Sequence, residues 1–97
     1  MAKGYWAVFY RSVSNPAALA EYGKLAVPAV EAGGGRFLTR DTALRAYEAG
    51  IKDRSILIEF DSPAKAIEVY ESPAYRAALK VLEGAAERDF RILEGVS

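Results

Sequence analysis

The 97 residues carry 13 Lys+Arg against 13 Asp+Glu, have no formal net charge, and contain neither cysteine nor histidine. A balanced chain lacks the basic face that displaces counterions from phosphates, which argues against a nucleic-acid binder. Without cysteine there is no disulfide and no thiolate metal site, and without histidine the usual general base, the commonest metal ligand and a proximal haem ligand are missing.

The length suits one domain, expected to span 1–97, and a chain this short buries only about 60–65% of the surface its unfolded form exposes. Apolar residues make up 52% of it. A small domain with surplus apolar surface can cover it with a second copy of itself, so a homodimer is expected. No apolar run reaches the ~18 residues of a membrane span, and MAKGYW lacks the layout of a signal peptide. The expectation is a cytoplasmic protein with no membrane or nucleic-acid partner, no metal and no cofactor.

Residues 5–13, YWAVFYRSV, read as a strand, since aromatic and β-branched residues dominate. Tyr5, Ala7, Phe9, Arg11 and Val13 share one face and Trp6, Val8, Tyr10 and Ser12 the other. Neither face is plainly polar, as in a strand covered on both sides. Asn15-Pro16 opens a helix: asparagine caps well, and proline suits the first helical position because its missing N–H had no partner there. Leu19, Tyr22, Leu25/Ala26 and Ala29/Val30 recur at helical spacing, and Gly33-Gly34-Gly35 stops the run. Those glycines follow a helix and lack the Lys-Ser/Thr of a phosphate loop.

RFLTR at 36–40 is a second strand. Residues 43–48, ALRAYE, are expected to extend it as a long hairpin arm past an irregularity at Asp41-Thr42, the alternative being a short helical turn. A turn is expected over Gly50–Asp53. In SILIEF, 55–60, Ile56, Ile58 and Phe60 alternate with Leu57 and Glu59, a third strand. Ser62-Pro63-Ala64 repeats the start signal of Asn15-Pro16-Ala17, and Ser72-Pro73-Ala74 gives it again ten residues later. Proline disfavours helix in the residue before it and removes a donor. One helix therefore ends near Glu71, and a second starts at Pro73 and runs to about Gly84. Residues 88–94, RDFRILE, are a fourth strand, with Phe90 and Ile92 on one face.

The order predicts an α+β, ferredoxin-like βαββαβ fold: a four-stranded antiparallel sheet, helices on one face, the second helix split at Ser72-Pro73. The first and third strands would be central. Arg36, Arg40, Arg88, Asp89, Arg91 and Glu94 then fall on edge strands, where charge discourages stray pairing. The sheet face away from the helices would meet a second sheet from a partner chain.

KGYWAVFYRSV, NPAALAEYGKLAVPAV, GGRFLTR and AAERDFRILEGV, with the pattern I-E-F-x-S, then A-x-x-x-Y-x-S-P-x-Y, then L-E-G, resemble small bacterial proteins catalogued as a domain of unknown function in the dimeric α+β-barrel superfamily. The resemblance covers nearly the whole chain. It implies a ferredoxin-like monomer whose sheet stacks on that of a twofold mate, and no established reaction. Its superfamily cousins include cofactor-independent monooxygenases, lactone isomerases and haem proteins, with sites between sheet and helices. That is analogy from fold, and the missing histidine tells against the haem branch. Many relatives carry arginine where this chain has Leu82, so a site depending on that arginine would be altered here.

Candidate site residues are weighed against plainer roles. Glu59, inside a central strand, must be paired or its pKa rises; it is the candidate catalytic base, or half of a salt bridge with Arg36. Arg36 could hold a carboxylate ligand bidentately, or serve as edge charge; Arg40 and Arg88 invite the same two readings. Tyr22, Tyr70 and Tyr75 could orient a ligand with their hydroxyls, or pack their rings and send the hydroxyls elsewhere. Trp6 lines a pocket or fills the core, and Ser72 is a cap. Two functions remain open. One is a cleft lined by Tyr22, Arg36, Glu59, Tyr70 and Tyr75 that binds, or acts without a cofactor on, a small organic acid or aromatic compound. The other is a non-catalytic dimeric binding or assembly module.

Overall fold

The computed structural model describes residues 2–96; Met1 and Ser97, the ends of the expected 1–97 domain, lie outside the described residues. Its elements are β1 (Gly4–Val13), α1 (Pro16–Ala32), β2 (Arg36–Thr42), β3 (Arg54–Phe60), α2 (Pro63–Tyr70), α3 (Pro73–Leu82) and β4 (Ala86–Glu94). The strands lie in the order β2-β3-β1-β4, all pairs antiparallel. This is the ferredoxin-like layout, its second helical segment divided into α2 and α3.

Each helix starts at a proline preceded by a side-chain cap. Asn15 Oδ1 accepts from the Ala18 amide at 3.1 Å, and Ser62 Oγ from the Lys65 amide at 3.1 Å. At the elbow Ser72 serves both helices. Its hydroxyl donates to the Val69 carbonyl at 2.7 Å, closing α2, and accepts from the Tyr75 amide at 3.3 Å, opening α3. One side chain thus satisfies a backbone group on each side of the break, where proline denies the chain a continuous helix. α1 ends in the glycine run: Gly34 takes φ +86°, and a Cβ on Gly35 would come 2.5 Å from Val30 Cγ1 and 2.8 Å from the Phe60 ring.

The core lies between the helices and the inner sheet face, with Trp6, Tyr10, Tyr75, Phe60, Val8 and Val30 its largest fully buried side chains. Trp6 is central: its ring centroid lies 4.8 Å from Tyr75, 5.0 Å from Phe90 and 5.1 Å from Phe60. Its indole N–H donates to the Ala66 carbonyl at 2.8 Å, so burial leaves no orphan donor. Pairs of this kind contribute about 0.5–1.5 kcal/mol each beyond area burial.

The hairpin arm expected over 43–48 does not form. β2 stops at Thr42, the ladder closing with a single bond from the Ala43 amide to the Asp53 carbonyl. Residues 43–53 are irregular, and the turn lies over Tyr47–Gly50 rather than Gly50–Asp53, with Glu48 at φ 54°. Leu44 and Tyr47 are 90% and 72% exposed. With these apolar side chains in solvent, no burial rewards extending the ladder beyond Thr42.

Candidate functional site

The inner sheet face and α1 enclose a cavity of about 380 Å³, within the size range of small-molecule sites. Trp6, Val8, Ile56, Ile58, Ala26 and Val30 supply apolar wall. Period-two alternation aims each strand's contribution: Trp6, Val8 and Tyr10 on β1 and Ile56 and Ile58 on β3 are all buried on this side. Tyr22, Tyr75 and Arg88 bring polar groups into the cavity. The Tyr22 and Tyr75 hydroxyls are 2.5 Å apart, and Arg88 Nη1 donates to Tyr22 Oη at 3.1 Å and, more weakly, to Tyr75 Oη at 3.4 Å. Only one phenolic proton can serve the bond between the two hydroxyls, which leaves the other free for a ligand or water.

Arg88 is half-buried, and its guanidinium carbon lies 5.2–5.6 Å from the ring centroids of Phe90, Tyr22 and Tyr10. The rings' negative faces favour a cation there. Burial works against the charge, but the oxygens of Tyr75 and Tyr22 more than offset it, and the guanidinium is held charged. Burial pushes the Tyr22 hydroxyl far up, helped by the neighbouring Tyr75 oxygen; Tyr75 and Tyr10 are also raised by burial, with Arg88 opposing. All three tyrosines are therefore neutral acids at physiological pH. Arg40 and Arg54 also line the cavity, and its lining contains three arginines and no carboxylate. Among the described residues none of these three arginines forms an ion pair.

The five candidate residues do not share one cleft. Tyr22 and Tyr75 meet in the cavity. Tyr70 is half-buried outside it, edge-on to Trp6 and Phe90 at 6.0 and 4.9 Å. Glu59 and Arg36 pair on the opposite sheet face: Arg36 Nη2 donates to Glu59 Oε1 at 2.8 Å, and the Tyr5 hydroxyl donates to Oε2 at 2.9 Å. Arg36 and Tyr5 both lie in register with Glu59. These two donors hold the carboxyl of Glu59 below its ordinary range, Arg36 foremost. The register decides this, since Glu59 alternates with the inward Ile58 and Phe60. The same alternation puts Arg88 in phase with Phe90, and Arg54 in phase with Ile56. The sequence offered Arg88 and Arg40 both as ligand holders and as edge-strand charge, left them out of the expected cleft, and gave no signal that singled out Arg54. Leu82 is buried in the core, 4% exposed.

Among the described residues no helix is long and apolar enough to cross a membrane. Among the described residues no three His, Cys, Asp or Glu side chains converge as metal ligands.

Solved structures share the fold at low sequence identity. A protein of unknown function from Rhodopseudomonas palustris is 20% identical, with a TM-score of 0.77 over 99% of this chain and 84% of its own. A dimeric protein of unknown function and ferredoxin-like fold from Bacteroides fragilis is 19% identical, with a TM-score of 0.57 over 96% and 95%. A candidate antibiotic biosynthesis monooxygenase from Caulobacter crescentus is 17% identical, with a TM-score of 0.61 over 99% and 91%. No curated protein matches the chain. The family model described as a domain of unknown function, DUF1330, matches residues 3–96, and the chain belongs to that family.

Proposed function

We propose that the protein is a homodimer that binds a small organic acid, aliphatic or aromatic, in the cavity between α1 and the sheet. The observation that carries this reading is Arg88: a half-buried cation with no acidic partner among the described residues, hydrogen-bonded to two buried tyrosine hydroxyls at an apolar cavity. A carboxylate would supply the missing anion, accepting from the guanidinium and from the spare phenolic proton. The apolar wall would take the body of the ligand.

Binding is favoured over catalysis because no cavity group is placed to act as a base near neutral pH. The tyrosines stay protonated, and Glu59 is across the sheet. If the protein does run cofactor-free chemistry, its tools are a phenolic proton donor and a guanidinium facing a developing oxyanion. Support for the homodimer comes from the outer sheet face, where Phe9 and Leu93 are 41% and 46% exposed, and from the Bacteroides fragilis neighbour, described as dimeric.

Trp6, the single tryptophan, lines the cavity and is a built-in reporter. In a fluorescence titration, benzoate and phenylacetate should perturb Trp6 emission saturably and benzamide should bind at least tenfold more weakly. Arg88→Gln should abolish the difference. Equal binding of acid and amide, or no binding of either, overturns the reading. Native mass spectrometry checks the dimer, and a monomer at micromolar concentration would refute it.

A further inference from the structure

Arg88 accounts for one anionic group, and two more arginines in the same cavity have no acid partner among the described residues. Arg88 on β4 pairs with Tyr10 on β1, while Arg54 on β3 precedes Ser55, the partner of Phe9 on β1. Arg88 and Arg54 therefore flank Tyr10 across the same end of the inner face, their backbones two strand spacings apart, about 9–10 Å. Arg40, one strand further out, sits opposite Ile56, and its guanidinium lies over the Phe37 ring at 4.8 Å. Arg40 is exposed and Arg54 half-buried, so this pair marks the open side of the cavity, whereas Arg88 reaches its buried tyrosines.

We infer that the mouth is a second anion subsite and that the ligand is a dianion, such as a dicarboxylate. One carboxylate sits against Arg88 and the Tyr22 and Tyr75 hydroxyls; the other lies between Arg40 and Arg54. This rests on the organic-acid reading above and narrows it. Like charges lining one cavity repel one another, and a ligand charge placed among them relieves that repulsion. Tyr10 stands between Arg88 and Arg54 on the sheet; its ring and the apolar residues of the same cavity suit a hydrocarbon spacer, and the strand spacing calls for several bonds between the acidic groups.

The test is a Trp6 fluorescence or calorimetric titration with the α,ω-dicarboxylates from succinate to suberate, each against the monocarboxylate of equal chain length. One length should bind at least tenfold tighter than its monocarboxylate. The double variant Arg40→Gln/Arg54→Gln should erase that advantage and leave the monocarboxylate Kd within about twofold. Arg88→Gln should weaken both classes. Circular dichroism melts confirm that the variants fold. If monocarboxylates bind and depend on Arg88 but no dicarboxylate exceeds them, the second subsite is refuted and the organic-acid reading stands. If no carboxylate of either class binds, both fall.

Discussion

Replacing Tyr22 and Tyr75 together by phenylalanine keeps both buried rings and deletes both hydroxyls. Near pH 8 the loss is the bond between them and the two donated by Arg88. A neutral hydrogen bond is worth about 0.5–1.5 kcal/mol net, and Arg88 can turn its donor to water in the open cavity, so about 1–3 kcal/mol of destabilisation is expected. The larger signal lies in alkali. Both hydroxyls titrate above the ordinary tyrosine value of 10, burial being the main cause. Above pH 10 the unfolded chain gives up these protons while the folded chain keeps them. Each such tyrosine then lowers stability by about 1.4 kcal/mol per pH unit, a contribution present in full below pH 10 and lost as the pH rises through the folded value. The double variant should therefore be less stable at pH 8 yet fall less steeply above pH 10, by up to about 1.4 kcal/mol per unit for each hydroxyl that the folded protein keeps protonated there. Urea unfolding at pH 8, 10, 10.5 and 11, with tyrosinate absorbance of the folded protein, measures this. Parallel pH profiles for the two proteins would refute the reasoning, because they would mean that the hydroxyls ionise in the folded state as freely as in the unfolded.

Other substitutions probe the scaffold. In Gly4→Ala the new Cβ would lie 2.4 Å from the Ser62 carbonyl oxygen and 2.6 Å from Pro63 Cα; backbone cannot yield cheaply, so a loss of about 1–3 kcal/mol or more is expected in thermal unfolding. Gly23→Ala, by contrast, meets nothing within 4 Å in the middle of α1 and should stabilise by about 0.5–1 kcal/mol while trimming the cavity it lines. Ser72→Ala removes the cap of α3 and the bond that closes α2, and should cost about 0.5–2 kcal/mol in urea unfolding. Glu59→Gln should leave Trp6-detected ligand binding intact, since the carboxylate lies on the other sheet face. Its effect should appear in the acid limb of the stability curve: the depressed Glu59 value contributes stability above the unfolded glutamate range and loses it as pH falls, so the variant's profile should be flatter there.

Much of the fold was legible because the signals are local. Three X-Pro starts with Asn15, Ser62 and Ser72 before them, the glycine stop at 33–35 and the alternation in SILIEF each state a backbone preference that tertiary packing did not override. The elbow at Ser72-Pro73 is the clearest case, since proline forbids the alternative. The segment 43–48 misled because its apolar residues suit a strand, yet a strand is rewarded by burial, and Leu44 and Tyr47 stay exposed.

The candidate site was half legible. Tyr22 could be placed by helical spacing and Tyr75 by its nearness to the elbow, but their meeting depends on how α1 and α3 lie over the sheet. Arg88, Arg54, Arg36 and Glu59 all sit on strands, where a side chain's face follows from counting in twos. The phase of Arg88 with Phe90, and of Arg54 with Ile56, was present in the sequence. The Glu59–Arg36 salt bridge was one of the two readings the sequence offered, and inter-strand register chose it by setting Arg36 opposite Glu59; that Arg88 falls opposite Tyr10, with no acid beside it among the described residues, also follows from register and was not legible. By itself the sequence determined the order of the elements and the ends of the helices, through caps, glycines and periodicity acting over a few residues. Only the tertiary structure decided which charges cancel and which face the cavity, because pairing partners some 20 to 80 residues apart are chosen by the packing of the whole sheet.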